Sequence, residues 1–159
     1  AFGVLGMSSQ SGDDSQDSLY QQAGITTLMI RNIPCRMTLK AMMDLIDSNG
    51  FAGTYDFLHL PGRGTPFSNL GYAFINFFIV EMVDLFIAKF QGIPFSTITG
   101  INTEKIIEIR PAHAQGFVDN MAKVRDMMSN RDNLYVIGQG ASPVFGGTSP
   151  LFGGVHISL

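Results

Sequence analysis

The spacing of apolar residues predicts three helices. Two segments have the i, i+3, i+4, i+7 spacing of one helix face: Leu39, Met42, Met43 and Ile46, and later Val83, Phe86, Ile87 and Phe90. Thr38 is suited to cap the start of the first helix, while Gly50 and Gly92 are suited to follow the ends of the two helices. A third stripe, at Phe117, Met121, Val124 and Met128, predicts a helix over 117–128.

Four short segments are rich in β-branched and aromatic residues and predict strands: Thr27–Arg31, Thr54–Leu60, Leu70–Phe77 and Lys105–Arg110. With the first two helices they give the order β-α-β-β-α-β. This order predicts an α+β, ferredoxin-like fold, a four-stranded antiparallel sheet with two helices on one face. The segment 91–104 is expected to be a connection with a small hairpin around 95–98.

The side chains of each strand alternate between the two faces of the sheet. In the first strand, Leu28 and Ile30 are expected to face the helices. In the second, we expect Tyr55 and Phe57 to face them, because burying Asp56 would be costly. In the fourth strand, the isoleucines are expected to face inward, and Glu108 and Arg110 outward.

The strand over 70–77 has two apolar faces, whereas a half-buried strand usually has one. Its residues Gly71-Tyr72-Ala73-Phe74-Ile75-Asn76-Phe77 resemble the signature of an RNA recognition motif, with Leu70 where a basic residue is usual. One face would then build the core, and the face with Tyr72 and Phe74 would bind bases.

Three blocks together resemble the C-terminal RNA recognition motif of the Mei-two-like proteins. They are Thr26-Thr27-Leu28-Met29-Ile30-Arg31-Asn32-Ile33-Pro34, Gly53-Thr54-Tyr55-Asp56-Phe57-Leu58 and the block that begins at Gly71. The resemblance covers about residues 26–130. It implies RNA binding and a role in post-transcriptional control of differentiation or meiosis. We expect an intracellular location, in the nucleus, the cytoplasm or both, because Cys35 is alone and cannot form an internal disulfide.

Eight residues are candidates for contacting single-stranded RNA: Tyr72, Phe74, Met29, Arg31, Asn32, Asn76, Arg110 and Arg63. The two rings would stack on bases, and Met29 lies where the first strand commonly carries another aromatic residue. The asparagines could bond base edges. The arginines could reach phosphates or stack their guanidinium planes.

Charge is distributed unevenly along the chain. The formal net charge is −3, but the span from Arg31 to Arg131 holds ten basic and nine acidic residues, a difference of +1. No run of basic residues is present, so RNA binding must depend mainly on contacts other than bulk charge.

The chain is expected to consist of three segments: a disordered lead-in (1–25), the motif with its C-terminal helix (26–131) and a Gly/Ser/Pro-rich tail (132–159).

The sequence favours no enzyme and predicts no metal, cofactor or membrane-spanning segment. The three histidines lie far apart without a second ligand at metal-binding spacing, and no phosphate-binding glycine motif is present. The alternative to RNA binding is a protein-interaction module with weak or no RNA affinity. A protein partner could dock on the sheet face, on helix 117–128 or on the tail. The near-neutral charge, Leu70 and the missing aromatic residue in the first strand favour this alternative.

Overall fold

The computed structural model describes residues 19–62, 65, 67–127, 133–137 and 144–146. Six strands are present: β1 (Thr27–Arg31), β2 (Tyr55–Leu60), β3 (Tyr72–Phe77), β4 (Glu108–Pro111), β5 (Asn133–Val136) and β6 (Val144–Gly146). The helices are α1 (Leu39–Ile46), α2 (Val80–Phe90), α3 (Phe95–Thr99) and α4 (Gly116–Met127), and a π-helical turn, Asp47–Phe51, continues α1. Residues 19–22, which the sequence assigned to a disordered lead-in, are also helical. Within this described part, no helix is long and apolar enough to cross a membrane.

The strands form one antiparallel sheet in the order β4-β1-β3-β2-β5-β6. Its first four strands have the predicted ferredoxin-like arrangement, with β1 and β3 in the centre, and the predicted α+β fold is confirmed. The apolar residues that face α1 and α2 form the main core, in which Leu28, Ala73 and Ile75 are fully buried.

Strands β5 and β6 correct the prediction of a four-stranded sheet. Both lie in the segment that the sequence assigned to a tail, yet Leu134, Tyr135 and Val136 are buried. β5 pairs with the outer edge of β2, where it covers backbone groups that would otherwise be unpaired. The four apolar residues Leu134 to Ile137 are at the lower limit of length for a strand signal, and the sequence analysis missed this strand because the run lies in a Gly/Ser-rich segment.

A β-bulge in β2 corrects the predicted facing of that strand. Tyr55 pairs with Phe77, but Phe57 pairs with Asn76, so Asp56 is an extra residue opposite β3. The extra residue moves every later side chain to the other face. Tyr55 therefore faces the main core as predicted, whereas Phe57 is buried on the opposite face and Leu58 takes its place in the core.

The segment around 95–98 is a short helix, not the hairpin that we expected. Pro94 precedes α3, and Gly100, with φ 70°, follows it in the left-handed conformation. The hydroxyl groups of Thr97 and Thr99 donate to backbone carbonyl oxygens three and four residues earlier, which are helical contacts. Phe95 is 1% exposed and packs into the main core.

Helix α4 lies on the sheet face opposite to α1 and α2. Its Met121 and Val124 pack on Phe57, Leu134 and Val136, which together form a second, smaller apolar cluster. The helix predicted over 117–128 is thus present, although Met128 lies outside the described residues. Since Met121 and Val124 are buried inside the protein, they are not exposed for a protein partner, as one alternative required.

Polar side chains at the start of α4 hold it to β1. The Gln115 side-chain oxygen accepts hydrogen bonds from the backbone N–H groups of Thr26 and Thr27, at 2.9 Å each. Asn120 is 4% exposed and donates to the Thr27 hydroxyl oxygen at 3.0 Å. If the helix moved away, these polar groups would lose their hydrogen-bond partners. Helix α4 is therefore a fixed part of the fold.

Candidate nucleic-acid interface

On the part of the sheet that α4 does not cover, the outward-facing side chains form two rows that run across the strands. The pairing of the strands determines which residues share a row. In the first row Tyr72 on β3 lies opposite Arg31 on β1, which lies opposite Glu108 on β4. The second row contains His59, Phe74, Met29 and Arg110, from β2 to β4. Five of the eight candidate residues, from segments up to 81 positions apart, therefore meet on one surface.

The aromatic rings of the two rows pack against each other edge to face. The ring centroids of Tyr72 and Phe74 are 5.7 Å apart with planes inclined at 75°, and His59 stacks near Phe74 at 6.4 Å. Both Tyr72 and Phe74 are half-buried. Phe74, however, also packs against the cluster beneath α4, in which Phe117 participates. Tyr72 does not belong to that cluster, and its ring is the better-placed stacking surface.

The charged groups of the surface form a small network centred on Glu108. Its Oε1 accepts hydrogen bonds from Arg110 Nε at 2.8 Å and from Arg31 Nη1 at 3.3 Å. The hydrogen bond from Arg110, with the nearby charge of Arg31, lowers the pKa of the Glu108 carboxyl group below its ordinary value. The sequence predicted that Glu108 lies on the outer face, but Glu108 was not among the candidate residues; its position opposite Arg31 could have indicated it.

Two of the other candidate residues, Asn76 and Asn32, lie outside these rows. Asn76 is 3% exposed: its side-chain oxygen accepts from the hydroxyl groups of Thr26 and Thr27, and its amide donates to Asp56 at 2.7 Å. Asn76 is thus buried and bonded within the protein, and the predicted bond to a base edge would require these contacts to be released. Asn32 has φ 62° and donates to the Ile106 carbonyl oxygen at 3.0 Å. Arg63 lies outside the described residues.

Comparison with known proteins identifies the module. A family model described as RNA recognition motif 2 matches residues 25–125, more than half of the chain. The chain belongs to this family. Membership supports RNA binding, and the family is one of RNA-binding modules rather than an enzyme class.

The curated relatives of this RNA recognition motif are Mei-two-like proteins, as the sequence blocks indicated. Protein MEI2-like 1 of Arabidopsis thaliana is 41% identical over 91 residues, which are 57% of this chain and 10% of the relative. Protein MEI2-like 4 of Oryza sativa subsp. japonica is 38% identical over 105 residues, covering 66% of this chain and 9% of that protein. The chain thus spans about a tenth of the length of these relatives.

Among solved structures, the RNA recognition motif of Rna15 with bound RNA (GU) is similar to this chain. The match has 15% sequence identity and a TM-score of 0.47, and it covers 64% of this chain and 97% of that one. A likeness of this degree is too slight to carry an inference about the RNA recognition motif described here.

The carboxyl group of Asp56, at the bulge in β2, is partly buried and accepts a hydrogen bond from Asn76. Burial raises the pKa of Asp56 above its ordinary value of 3.8, and the hydrogen bond from Asn76 opposes this only in part. The folded state therefore binds the Asp56 proton more tightly than the unfolded state does. Stability from this group falls as pH rises from the unfolded pKa through the higher folded pKa.

We expect Asp56→Asn to stabilise the motif at neutral pH and to lose that advantage in acid. The amide keeps an oxygen that can accept from Asn76 but carries no charge to desolvate. Urea unfolding of the parent and the variant at pH 7 and at about pH 3.5, below the unfolded pKa, would test this. Equal stability at pH 7, with a difference only in acid, would contradict the assignment. Asp44→Asn, on the exposed face of α1, is the matched control.

Proposed function

We propose that this module binds single-stranded RNA by stacking one base on Tyr72 and a second on Phe74. The observation that carries the proposal is the meeting of two half-buried rings with two arginines on the sheet surface that α4 leaves uncovered. Arg31 and Arg110 are exposed and would contact phosphates or sugars beside the stacked bases.

A single strand fits this surface better than a duplex does. Bases must be unpaired and unstacked before an aromatic side chain can lie against their faces, which is how proteins of this kind bind RNA sequences. Met29, which lies between Phe74 and Arg110 in the second row, offers a flexible apolar contact in place of a third ring. Helix α4 limits the surface on one side, so two bases are the expected stacked footprint.

The biological role that we propose for this protein is post-transcriptional regulation of meiosis or differentiation. It is supported by the resemblance to Mei-two-like proteins, of which the chain spans about a tenth. Such a role would place the protein in the nucleus, the cytoplasm or both.

Binding should depend only weakly on salt. Arg31 and Arg110 are the two arginines in the described part of the surface, and each already bonds Glu108. Neutralising two phosphates of a single strand corresponds to a slope of log K against log salt of about −1.4. Fluorescence anisotropy with a labelled strand, selected from a random RNA pool, would measure this slope; between about 50 and about 200 mM KCl it corresponds to a roughly sevenfold loss of affinity.

The same strand annealed to its complement is the control. A slope steeper than about −3, or tighter binding to the duplex, would show that phosphates dominate and would overturn the stacking mechanism.

A further inference from the structure

We propose that Glu108, held between Arg31 and Arg110, selects guanine for the base that stacks on Tyr72. The inference rests on the proposed function and deepens it, because it names the base that the first row would accept. Register alone puts the three kinds of group needed for this in one row: a ring, a cation and a carboxylate.

The geometry brings the carboxylate within reach of a stacked base. Tyr72 and Glu108 lie on the two sides of Arg31, and adjacent strands are about 4.8 Å apart. A purine stacked on Tyr72 and extending across β1 therefore points its edge at Glu108. The two hydrogen bonds that Glu108 accepts both end on Oε1, and within the described residues Oε2 accepts none. That oxygen is still able to accept bonds from a base.

Guanine is the base whose edge suits an ionised carboxylate. Its Watson–Crick edge carries two adjacent donors, the N1–H and the N2 amino group, whereas an ionised carboxylate only accepts. Uracil offers one donor between two carbonyl oxygens. Adenine and cytosine each place an acceptor nitrogen beside the amino group, so one carboxylate oxygen would face a lone pair. Mismatched acceptors of this kind lose both a bond and solvation.

The neighbouring arginines strengthen this choice. Both keep Glu108 ionised, because they lower the pKa of its carboxyl group. Their guanidinium groups are also donors that can bond the guanine acceptors O6 and N7, as arginine does when it contacts guanine in nucleic acids. Glu108 would thus accept from the two donors of guanine, and the two arginines would donate to its two acceptors.

The test uses heptauridylate with guanine, adenine, cytosine or uracil at its central position. Flanking uridines allow the strand to slide until the variable base lies on Tyr72. We expect the parent protein to bind the guanine strand about five- to tenfold more tightly than the other three. Inosine, which lacks the N2 amino group, should lose much of this preference, whereas 7-deazaguanine, which keeps both donors, should retain most of it.

Glu108→Gln should reduce the guanine preference to less than about twofold while affinity for heptauridylate stays equal or rises. The rise is expected because Arg31 and Arg110 would no longer be neutralised. Glu81→Gln makes the same change in net charge at an exposed site on α2, against the opposite face of the sheet, and should leave the preference intact.

The outcomes separate the two proposals. Binding of all four strands with equal affinity would overturn the guanine assignment and leave the stacking function standing. A guanine preference that survives Glu108→Gln would overturn the role of Glu108. No binding of any of the four strands would overturn the proposed function and this inference with it.

Discussion

Replacing both Tyr72 and Phe74 with alanine should weaken binding to single-stranded RNA by about 2–6 kcal/mol. Stacking of a base on an aromatic side chain contributes roughly 1–3 kcal/mol per base by alanine substitution, and both figures assume that the effects of the two residues add. A loss of this size moves a micromolar complex toward or beyond the millimolar range. Anisotropy titration with a selected strand would measure it, with circular dichroism to verify folding.

The two single variants should behave differently, because the two rings differ in their surroundings. Tyr72 lies outside the cluster beneath α4, so Tyr72→Ala should weaken binding by about 1–3 kcal/mol with little change in the free energy of unfolding. Phe74 packs against that cluster, so Phe74→Ala should lower both affinity and stability. Leu85→Ala, at a side chain 55% exposed on α2, is the control for removing an exposed apolar group from the opposite face.

A double variant that remains folded and binds the selected strand as tightly as the parent would exclude stacking on this face. If the parent itself bound no RNA but captured a protein that the double variant did not, the face would be a protein-docking surface.

Phe57→Ala should lower the free energy of unfolding by about 3–5 kcal/mol, the usual range for deleting a buried phenylalanine ring. Phe57 is 1% exposed and lies in the centre of the cluster formed by β2, β5 and α4. A cavity there would remove packing from both the helix and the added strand. Urea unfolding of the parent and the variant would measure the loss. Phe67→Ala, at a side chain 72% exposed, should change stability by less than about 0.5 kcal/mol.

A double-mutant cycle would show on which face Phe57 packs. Phe57 and Met121 belong to one cluster, so their alanine substitutions should couple by about 0.5–3 kcal/mol. Phe57 and Phe86 lie on opposite faces of the sheet, and their substitutions should add within about 0.5 kcal/mol. Coupling to Phe86 instead of Met121 would mean that Phe57 faces the main core and that β2 has no bulge at Asp56.

The sequence by itself determined the ferredoxin-like core and the shared face of five of the eight candidate residues. The apolar spacing of α1 and α2 and the alternation in β1 and β3 are local signals, and each agrees with the burial found in the fold. Once the order of elements implied that β1 and β3 are neighbours, alternation was enough to put Met29 and Arg31 beside Phe74 and Tyr72. Periodicity decides which face a side chain occupies, because backbone geometry is the same at every step of a regular strand.

Tertiary structure alone decided the features that break or extend this regularity. The bulge at Asp56 depends on how β2 pairs with β3, and it moves Phe57 to the face of α4. The residues Tyr135 and Val136 favour a strand, but the place of β5 in the sheet depends on the open edge of β2.

The enclosure of Asn76 likewise depends on contacts between residues far apart in sequence. It bonds Thr26 and Thr27, 50 and 49 positions away, while Gln115 and Asn120 attach α4 to the same end of β1. Hydrogen bonds between such distant side chains do not produce a periodic pattern in the sequence, because each bond depends on which elements pack together. Whether a side chain on the outer face meets water, a helix or RNA is therefore set by the packing of the whole chain.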